Sequence, residues 1–479
     1  MSDTLTLPLL QEPLDVDRLS DDEQAIAAHL LAKLAARAHR NRLRTGLYDM
    51  HYFAEQVGKS IPPQYATLSL VLGWAAKAVD GLARRCHLDG FVWPGGDLEA
   101  IGMPGLQAEN FLLSKLSQAR TDSLLHGVSF LIAGTGEAGA GEPHAVVTAA
   151  DALHATGEWN ARTNSLDAAL AVEEQDTDHQ ILQYTLYLPN LAITVRREVN
   201  GRWAVMNRRR HVFGMPVQPL IYRPRLSRPM GRSRLTPAVI GLQFAAVRAL
   251  VRMEAHMDVY AIPRFFLLGA EESVFKNPDG TPKTEWQIVM GRMFGIPDDP
   301  LADDPALARA DVKQYRAESP APHLAQLNSL AKLSAAESHL PDSDFAITDM
   351  ANPTSADSYW AGRENLFSEA EGATEDWSVP IVRTVATALA MWNELPRVPP
   401  EWLRIEPRWR PPQFTSKAAQ ADAGMKQLTA IPWLGETEVG LELIGLTGQQ
   451  IRLAQAERRR AAGRDLIAEL AGQALPAEL

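Results

Sequence analysis

The sequence is poor in cysteine and in long apolar runs. Its single cysteine, Cys86, excludes an intrachain disulfide and any metal or cluster site built from several cysteines. The best apolar stretch, residues 68–76, ends at Lys77 and is far shorter than the ~20 residues that a transmembrane helix needs. The first residues also lack the basic segment of a secretory signal peptide. These absences predict a soluble chain that is made in the cytoplasm.

A coherent catalytic motif is also missing. Residues 134–139 match the G-x-G-x-x-G pattern of dinucleotide sites, but Pro143 follows where a helix has to run, so they predict a hairpin loop. Residues 58–60 end like a phosphate-binding loop, but Phe53 replaces its first glycine and Pro62 blocks the following helix. No H-E-x-x-H or G-x-S-x-G motif is present in the sequence. We therefore predict no enzyme activity, no cofactor and no bound metal.

Two weaker patterns keep other functions open. Asp279, Asp311 and Lys313 fit a loose nuclease pattern, in which two carboxylates and a lysine hold Mg²⁺ and a water molecule. Residues 443–461 resemble a helix-turn-helix with Gly445 in the turn, which is typical of a DNA-binding regulator. We interpret the first pattern as a surface turn and the second as a plain helical hairpin. A metal-dependent nuclease and a helix-turn-helix regulator remain the alternatives.

Charge is distributed unevenly along the chain. The net charge is −11, which argues against tight coating of DNA. Residues 196–234 nevertheless contain eleven arginines and one acid, Glu198. Guanidinium groups bind carboxylates as readily as phosphates, so the stretch predicts contact with phosphate or with an acidic protein surface, and we favour ion pairs between subunits. The arginines assigned to this predicted interface are Arg208, Arg209, Arg210, Arg223, Arg225, Arg232 and Arg234.

The apolar periodicity predicts an α+β fold. A capping box at Ser20 and Glu23 opens a helix over 21–39, and apolar residues spaced three and four apart predict another over 235–260. Alternating segments separated by turn residues predict a β-rich region over 127–225. The other predicted elements are helices at 65–86, 108–125, 286–294, 322–340 and 355–392 (with a bend near Pro380), strands at 263–269 and 311–315, a turn at 277–280, and two or three short helices at the end.

Several short motifs follow one another in a characteristic order. Residues 42–51, RLRTGLYDMH, are similar to a YYDG-x-H motif, with Met50 where glycine is usual. Residues 214–237 carry the successive patterns G-x-P-V, R-P, G-x-S and P, and residues 352–357, NPTSAD, are similar to N-P-S-S-G-E. Further matches lie at 72–91, 116–134 and 263–269. Over about residues 40–393, this order resembles the portal proteins of tailed bacteriophages, in the family of long-tailed siphophages that includes those of actinobacteria.

The resemblance implies a portal fold and a ring of usually twelve subunits at one capsid vertex. Double-stranded DNA passes through such a ring during genome packaging and ejection. The fold has a helical and β-rich wing, a two-helix stem, a small α/β clip, a long wing helix and a helical crown. The implied segments are the wing at 1–232 (helical at 20–125, β-rich at 127–225), the stem helices at 233–260 and 320–340, the clip at 261–319, the tunnel loop at 341–353, the long wing helix at 354–393 and the crown at 394–479.

The resemblance also implies partners and the residues that meet them. The implied partners are other copies of the chain, DNA, the terminase large subunit, the head–tail connector, and the major capsid and scaffolding proteins, with no membrane. The implied location is the portal vertex of the virion, and the host cytoplasm during assembly. The implied residues are Asp342, Ser343, Asp344 and Asn352 facing DNA, Arg248, Arg252 and Glu254 at the stem interface, and Asp279, Trp286, Arg292, Asp298 and Asp299 in the clip.

Overall fold

The computed structural model describes residues 16–51, 72–136, 139, 141–260, 265–268, 276–282, 311–314, 319–345, 363–413 and 416–473. Side chains are described in these ranges except at 16–17, 258–260, 265–268, 311–314 and 465–473. The chain divides into two compact units, Met1–Arg410 and Pro411–Leu479. The first unit contains both helices and sheets, which confirms the mixed class expected from the sequence.

Helices and strands alternate along the first unit. Its helices in the described residues are α1 (Asp21–Tyr48), α2 (Trp74–Ala83), α3 (Met103–Asn110), α4 (Leu112–His126), α5 (Pro237–Tyr260), α6 (Ala321–Ser338) and α7 (Glu364–Trp392). Its strands there are β1 (Val16–Asp17), β2 (Leu88–Val92), β3 (Val128–Thr135), β4 (Ala145–Ala150), β5 (Ala155–Asn160), β6 (Ser165–Gln175), β7 (Ile181–Leu188), β8 (Leu191–Arg197), β9 (Trp203–Arg210), β10 (Val217–Ile221), β11 (Phe265–Leu268), β12 (Asp311–Gln314) and β13 (Glu406–Trp409).

Two larger sheets build the β-rich region. The six-stranded sheet has the order β1-β9-β8-β7-β6-β5, and only the pairing of β1 with β9 is parallel. The three-stranded sheet has the antiparallel order β10-β3-β4. Apolar residues of β3, β6 and β10, among them Phe130, Ala169 and Ile221, share one buried cluster. The direct pairing of β3 with β4 confirms the predicted hairpin around residues 134–143.

Helix α1 packs on the six-stranded sheet. The predicted capping box is present, because Ser20 Oγ accepts a hydrogen bond from the Glu23 backbone and the Glu23 carboxylate accepts one from the Ser20 backbone. Leu30 and Leu34 of the helix share an apolar cluster with Tyr184 and Ile193 of the sheet. The helix extends nine residues beyond the predicted end at 39, because its apolar spacing continues to the buried Leu47.

The largest core surrounds α7. Trp377, Ile381, Val385 and Leu389 are fully buried and lie four residues apart, which places them on one side of the helix. The same cluster contains residues of α2, α4 and β3, so α7 joins the helical and β-rich parts of the unit. The helix continues through Pro380 to Trp392. Residues 355–362 of the predicted long helix lie outside the described residues.

Helices α5 and α6 pack against each other. They flank a segment of about sixty residues, of which β11, β12 and the turn at Asn277–Gly280 are described. Strands β11 and β12 pair antiparallel, with Phe265 opposite Gln314 and Leu268 opposite Asp311. Five predicted elements are thereby confirmed, namely the two helices, the two strands and the turn. The predicted helix at 286–294 lies outside the described residues.

Four predictions of local structure need correction. Of the helix expected over 65–86, the described part begins at Trp74 and ends at Ala83, and residues 65–71 lie outside the described residues. The helix expected over 108–125 is two helices, because Phe111 adopts a left-handed conformation (φ 50°) between α3 and α4. Strand β9 runs through the arginine-rich stretch, where we named no strand, since Trp203 and Val205 pack toward the α1 cluster while arginines occupy its later positions. Strands β1, β2, β5, β10 and β13 were also not predicted.

The second unit is helical in its described part. It contains α8 (Lys417–Ala430), α9 (Glu438–Leu443) and α10 (Gly448–Gln473), as expected for the end of the chain. The backbones of α8 and α9 approach closely at Gly424, because a Cβ there would collide with the Leu443 carbonyl. Across both units, none of the described helices has both the length and the apolar character required to cross a bilayer.

Candidate functional site

Residues from four distant parts of the chain meet where α5 begins and α6 ends. Arg234 lies three residues before α5, His339 directly follows α6, and Glu369 lies on α7. Tyr222 follows β10. We call these four residues the helix junction. Their side chains are in contact, so the junction fixes both helices to the rest of the first unit.

The Arg234 guanidinium lies at the centre of the helix junction. It is buried, and its Nη1 atom lies 2.7 Å from the Glu369 carboxylate. Its other nitrogens donate to the backbone oxygens of Ala78 on α2 and Ser338 on α6. A buried charge is tolerated only when it is paired and its donors are satisfied, and these three acceptors meet that condition.

Glu369 collects the remaining contacts of the junction. The Tyr222 hydroxyl donates to it, Arg223 lies 3.2 Å away, and His339 Nδ1 lies 3.1 Å from its second oxygen. Burial by itself raises the pKa of Glu369, but Arg234 and the hydrogen bonds to Tyr222, Arg234 and His339 outweigh it and hold the pKa below its usual value. Burial keeps the Tyr222 phenol protonated by raising its pKa. Glu369 therefore stays ionised inside the protein.

The start of the predicted tunnel loop is attached to α2. Asp342, Ser343 and Asp344 form an exposed 3₁₀ turn that begins three residues after His339. Phe345 is buried with its ring edge-on to Trp74, at 5.7 Å between centroids, and Lys77 donates to the Asp344 carbonyl at 2.6 Å. Backbone and apolar contacts thus fix the turn and leave the carboxylates of residues 342 and 344 in solvent. The fourth predicted DNA-facing residue, Asn352, lies outside the described residues.

Helix α5 is also attached to α2 by a buried amide. Gln243 accepts a hydrogen bond from the Ala75 backbone at 2.7 Å and donates to the Leu72 carbonyl at 2.9 Å. The predicted stem-interface residues lie further along α5, where Arg248 is half-buried and Arg252 and Glu254 are exposed. Their interface role stays a prediction.

The arginines of the predicted interface have different surroundings. Arg208 pairs with the buried carboxylate of Glu23, and Arg209 donates to Thr135. Burial raises the pKa of Glu23, but hydrogen bonds from Ser20 and Arg208 lower it overall. Exposed or half-buried positions are found for Arg210, Arg223, Arg225 and Arg232. For Arg234 the prediction needs correction, because its side chain is buried within its own chain and cannot face a neighbouring subunit.

The predicted clip residues are described only at Asp279. Its carboxylate accepts hydrogen bonds from the backbone and hydroxyl of Thr281, so it closes the Asn277–Gly280 turn. This contact supports the interpretation of Pro278–Gly280 as a surface turn. Trp286, Arg292, Asp298 and Asp299 lie outside the described residues.

Neither alternative function gains support from the described residues. Among the described residues there is no group of three or more His, Cys, Asp or Glu side chains that could hold a metal. The side chain of Asp311 is not among those described. At the end of the chain, Gly445 turns the backbone between the six-residue α9 and the 26-residue α10. Thr447 and Gln450 form the hydrogen bonds of a capping box at the start of α10. The interpretation as a plain helical hairpin stays a prediction.

A second buried cluster of ionisable groups lies between α1, α4 and the turn after β4. Burial raises the pKa of Asp122 to about 7, with smaller contributions from Asp151 and Asp49. Burial lowers the pKa of His126 to about 4. Asp151 and His154 pair at 2.6 Å. These residues were not predicted from the sequence, because Asp122 and His126 lie about thirty residues before Asp151 and His154, and only the fold brings the two segments together.

The residues of the helix junction were also not predicted, apart from Arg234. One signal in the sequence indicates Glu369. It lies on α7 between the buried residues Leu366, Phe367, Ala370 and Ala373. Its neighbour Glu371 is exposed, whereas Glu369 lies three positions after Leu366 and four before Ala373, on the apolar side of the helix. An acid in such a position indicates a buried carboxylate, which requires a cation nearby.

Comparison with known proteins identifies the family. The model of the family described as "Phage portal protein, SPP1 Gp6-like" matches residues 28–463. The chain belongs to this family of phage portal proteins. It is 26% identical to the portal protein of Mycobacterium phage L5 over 394 residues, covering 80% of this chain and 77% of the relative. It is also 26% identical to the portal protein of Mycobacterium phage D29 over 401 residues, covering 80% and 78%.

The similarity of this chain to solved structures is weaker than its match to the family. The neck of a native gene transfer agent (GTA) particle, computed with C12 symmetry, matches with a TM-score of 0.40 and 14% identity over 78% of this chain and 90% of that chain. The virion of a native GTA particle matches with a TM-score of 0.38 and 15% identity over 84% and 93%. The assignment to the portal family rests on the family match. It confirms the resemblance found in the sequence and favours the portal function over a nuclease or a regulator.

Proposed function

We propose that the chain is a structural subunit, not an enzyme, of a ring of twelve copies at one capsid vertex. Double-stranded DNA passes through the ring during packaging and ejection. The terminase large subunit docks on it during packaging and the head–tail connector afterwards, and capsid and scaffolding proteins surround it. In this proposal the wing, stem, clip, tunnel loop, long wing helix and crown have the bounds expected from the sequence, with the first stem helix beginning at Pro237.

One observation supports the proposal in addition to the family match. Two packed helices, α5 and α6, flank an insertion, and α6 leads directly into an exposed acidic turn that is fixed at its base by Phe345 and Lys77. Carboxylates on a tunnel wall repel phosphates, so DNA slides past them without binding. At physiological ionic strength this repulsion acts within ~8 Å of the wall.

The proposal is tested first by the size and shape of the purified chain. We expect rings with a central hole in negative-stain electron microscopy. Light scattering should give a mass of about 630 kDa, twelve times the 52.6 kDa of one chain. A chain that stays monomeric at every concentration, with and without scaffolding protein, would contradict the ring.

The role of the acidic turn needs its own test. Asp342→Ala/Asp344→Ala is compared with Glu401→Ala, an exposed acid elsewhere in the first unit. In a packaging assay with terminase, we expect the double variant to package DNA more slowly or to retain it differently, because the wall repels phosphate less. If the double variant and the control both behave like the wild type, the turn does not face DNA.

A further inference from the structure

A protruding loop in the arginine-rich stretch has a fully exposed leucine at its tip. The loop spans residues 223–231, and we call it the arginine loop. Arg225 and Arg228 exchange two backbone hydrogen bonds, of 3.1 and 2.7 Å, and leave Leu226 and Ser227 at the turn. The relative exposure of Leu226 is 105%, so its side chain has no cover within the described residues.

The arginine loop is held rigidly at its base. The backbone of Arg232 donates to the Tyr222 carbonyl at 3.0 Å, which closes the loop. Gly231 has a positive φ of 66°, and a Cβ there would collide with the carbonyl oxygens of Tyr222 and Gly127. A surface that is fixed before binding loses little conformational entropy when a partner docks. The exposed leucine is therefore presented in a preorganised form.

An apolar groove with a volume of about 730 Å³ lies beside the loop. Its walls include Trp159, Pro219 and Ile221 from the two sheets and Val379 from α7. Val379 is itself 56% exposed. Leu226 and the groove together form one continuous apolar surface, and such surfaces on soluble proteins mark interaction sites.

Positive charge predominates around this surface, whose lining includes Arg225, Arg383 and one acid, Asp376. Among the described residues, the loop arginines Arg225 and Arg228 have no ion pair with an acid, and Arg228 lies near Arg40 and Arg44 of α1. Burial lowers the pKa of Arg44 to about 10, and repulsion from Arg40 and Arg228 contributes. An apolar centre with arginines around it fits a partner surface that is apolar and acidic.

We propose that the arginine loop and its groove dock onto a second copy of this chain, with Leu226 inserted into an apolar site flanked by carboxylates. The inference rests on the proposed ring. The stretch 196–234 carries +10, so the rest of the chain carries −21, and another copy is an abundant acidic surface. DNA phosphates would satisfy the arginines but not the leucine and the groove. In a closed ring, the receiving surface is a different one from the loop, because ring contacts are heterologous.

The first test changes the exposed leucine. Leu226→Asp is compared with Val199→Asp, since Val199 is a fully exposed apolar residue in another turn. Both variants should keep the far-ultraviolet circular dichroism and the unfolding midpoint of the wild type. We expect Leu226→Asp to need a protein concentration at least about tenfold higher for ring assembly, whereas Val199→Asp assembles like the wild type.

The second test detects the contact directly. Cys86 is buried at 1% exposure and burial raises its pKa to about 12, so the native chain offers no reactive thiol. Leu226→Cys and Val199→Cys are each labelled with a photo-crosslinking maleimide. We expect a covalent two-chain product from Leu226→Cys and none from Val199→Cys, with the crosslinked peptide in an acidic segment.

The outcomes separate this inference from the proposed ring. Rings that form normally with Leu226→Asp, and give no two-chain product from Leu226→Cys, overturn the docking surface and leave the ring intact. A wild-type chain that forms no ring and no two-chain product overturns both. A salt-sensitive DNA gel shift that is lost in Arg225→Glu, while Leu226→Asp binds DNA and assembles normally, assigns the surface to DNA instead.

Discussion

The helix junction and the arginine loop use arginines from the same stretch of sequence in opposite ways. Arg234 is buried, with an ionised partner and two backbone acceptors, while Arg225 and Arg228 are exposed at a loop tip. A buried guanidinium without a partner would cost several kcal/mol, whereas an exposed one costs little. The difference shows that burial and pairing decide what an arginine does, and that its position in a basic stretch does not.

The strongest test of this comparison removes the buried cation. Arg234→Met leaves Glu369 buried without its main partner, so we expect the free energy of unfolding to fall by about 3–5 kcal/mol. Arg223→Met removes the half-exposed arginine that contacts the same carboxylate, and it should cost less than about 1 kcal/mol. Urea unfolding followed by circular dichroism measures both variants.

A double variant checks the cause of this loss. Arg234→Met/Glu369→Leu removes both charges, so it should recover part of the stability lost in Arg234→Met. If Arg234→Met costs no more than Arg223→Met, the junction does not hold the helices as described.

The next test disturbs the base of the arginine loop. Gly231→Ala adds a Cβ in a left-handed conformation and in collision with two backbone oxygens, so we expect a loss of about 2–3 kcal/mol. Gly214→Ala is the matched control, because Gly214 has nearly the same φ, 68°, and open space around it. The control should lose about 1 kcal/mol in urea unfolding. Equal losses would show that the base of the loop is not closely packed.

A third test uses two other titratable residues, the half-buried Asp122 and the buried His126 of α4. The native pKa of Asp122, about 7 against an ordinary 3.8, makes its contribution to stability fall as pH rises from about 4 to 7. The native pKa of His126, about 4 against 6.5, makes its contribution rise over about pH 4 to 6.5. In the wild type, the pH dependences of these two contributions to stability have opposite signs.

Single variants separate the pH dependence due to Asp122 from that due to His126. Relative to the wild type, His126→Asn should make stability fall more steeply with pH over about 4 to 6.5, because the rising contribution of His126 is removed. Asp122→Asn should make it rise more steeply over about pH 4 to 7, in urea unfolding over that range. The other charged groups facing the pair, unchanged in both variants, are Arg40, Arg44, Asp49, Asp151 and His154. Changes of the same sign in the two variants, relative to the slope of the wild type, would refute the assignment.

The sequence predicted the elements whose signals are local. The capping box at Ser20, the long apolar stripe of α5 and the turn at Asn277–Gly280 each depend on residues within a few positions of one another. The family followed from the order of motifs along the chain. These parts of the fold can be predicted without knowing which distant segments are in contact.

The candidate sites depend on contacts between distant segments. Arg234 is buried because Glu369, which lies 135 positions later, meets it, and no periodicity in the sequence connects the two. The break at Phe111 was missed for another reason, since a bulky residue in a left-handed conformation contradicts local preference. Phe111 itself is 73% exposed, and the residues buried at the break are its neighbours Asn110 and Leu112. Tertiary contacts therefore decided what local patterns left open.

The smallest expected change in stability concerns another arginine of the same stretch. Arg196 pairs with Glu174 across the six-stranded sheet at 3.0 Å, and both side chains are nearly half exposed. Arg196→Gln should lower the free energy of unfolding by less than about 1 kcal/mol, and in 1 M salt, where the screening length is ~3 Å, the loss should vanish. If Arg196→Gln instead costs as much as Arg234→Met, exposure does not separate the two kinds of arginine. A small, salt-sensitive loss would place Arg196 with the exposed loop arginines and leave Arg234 as the arginine that stabilises the fold.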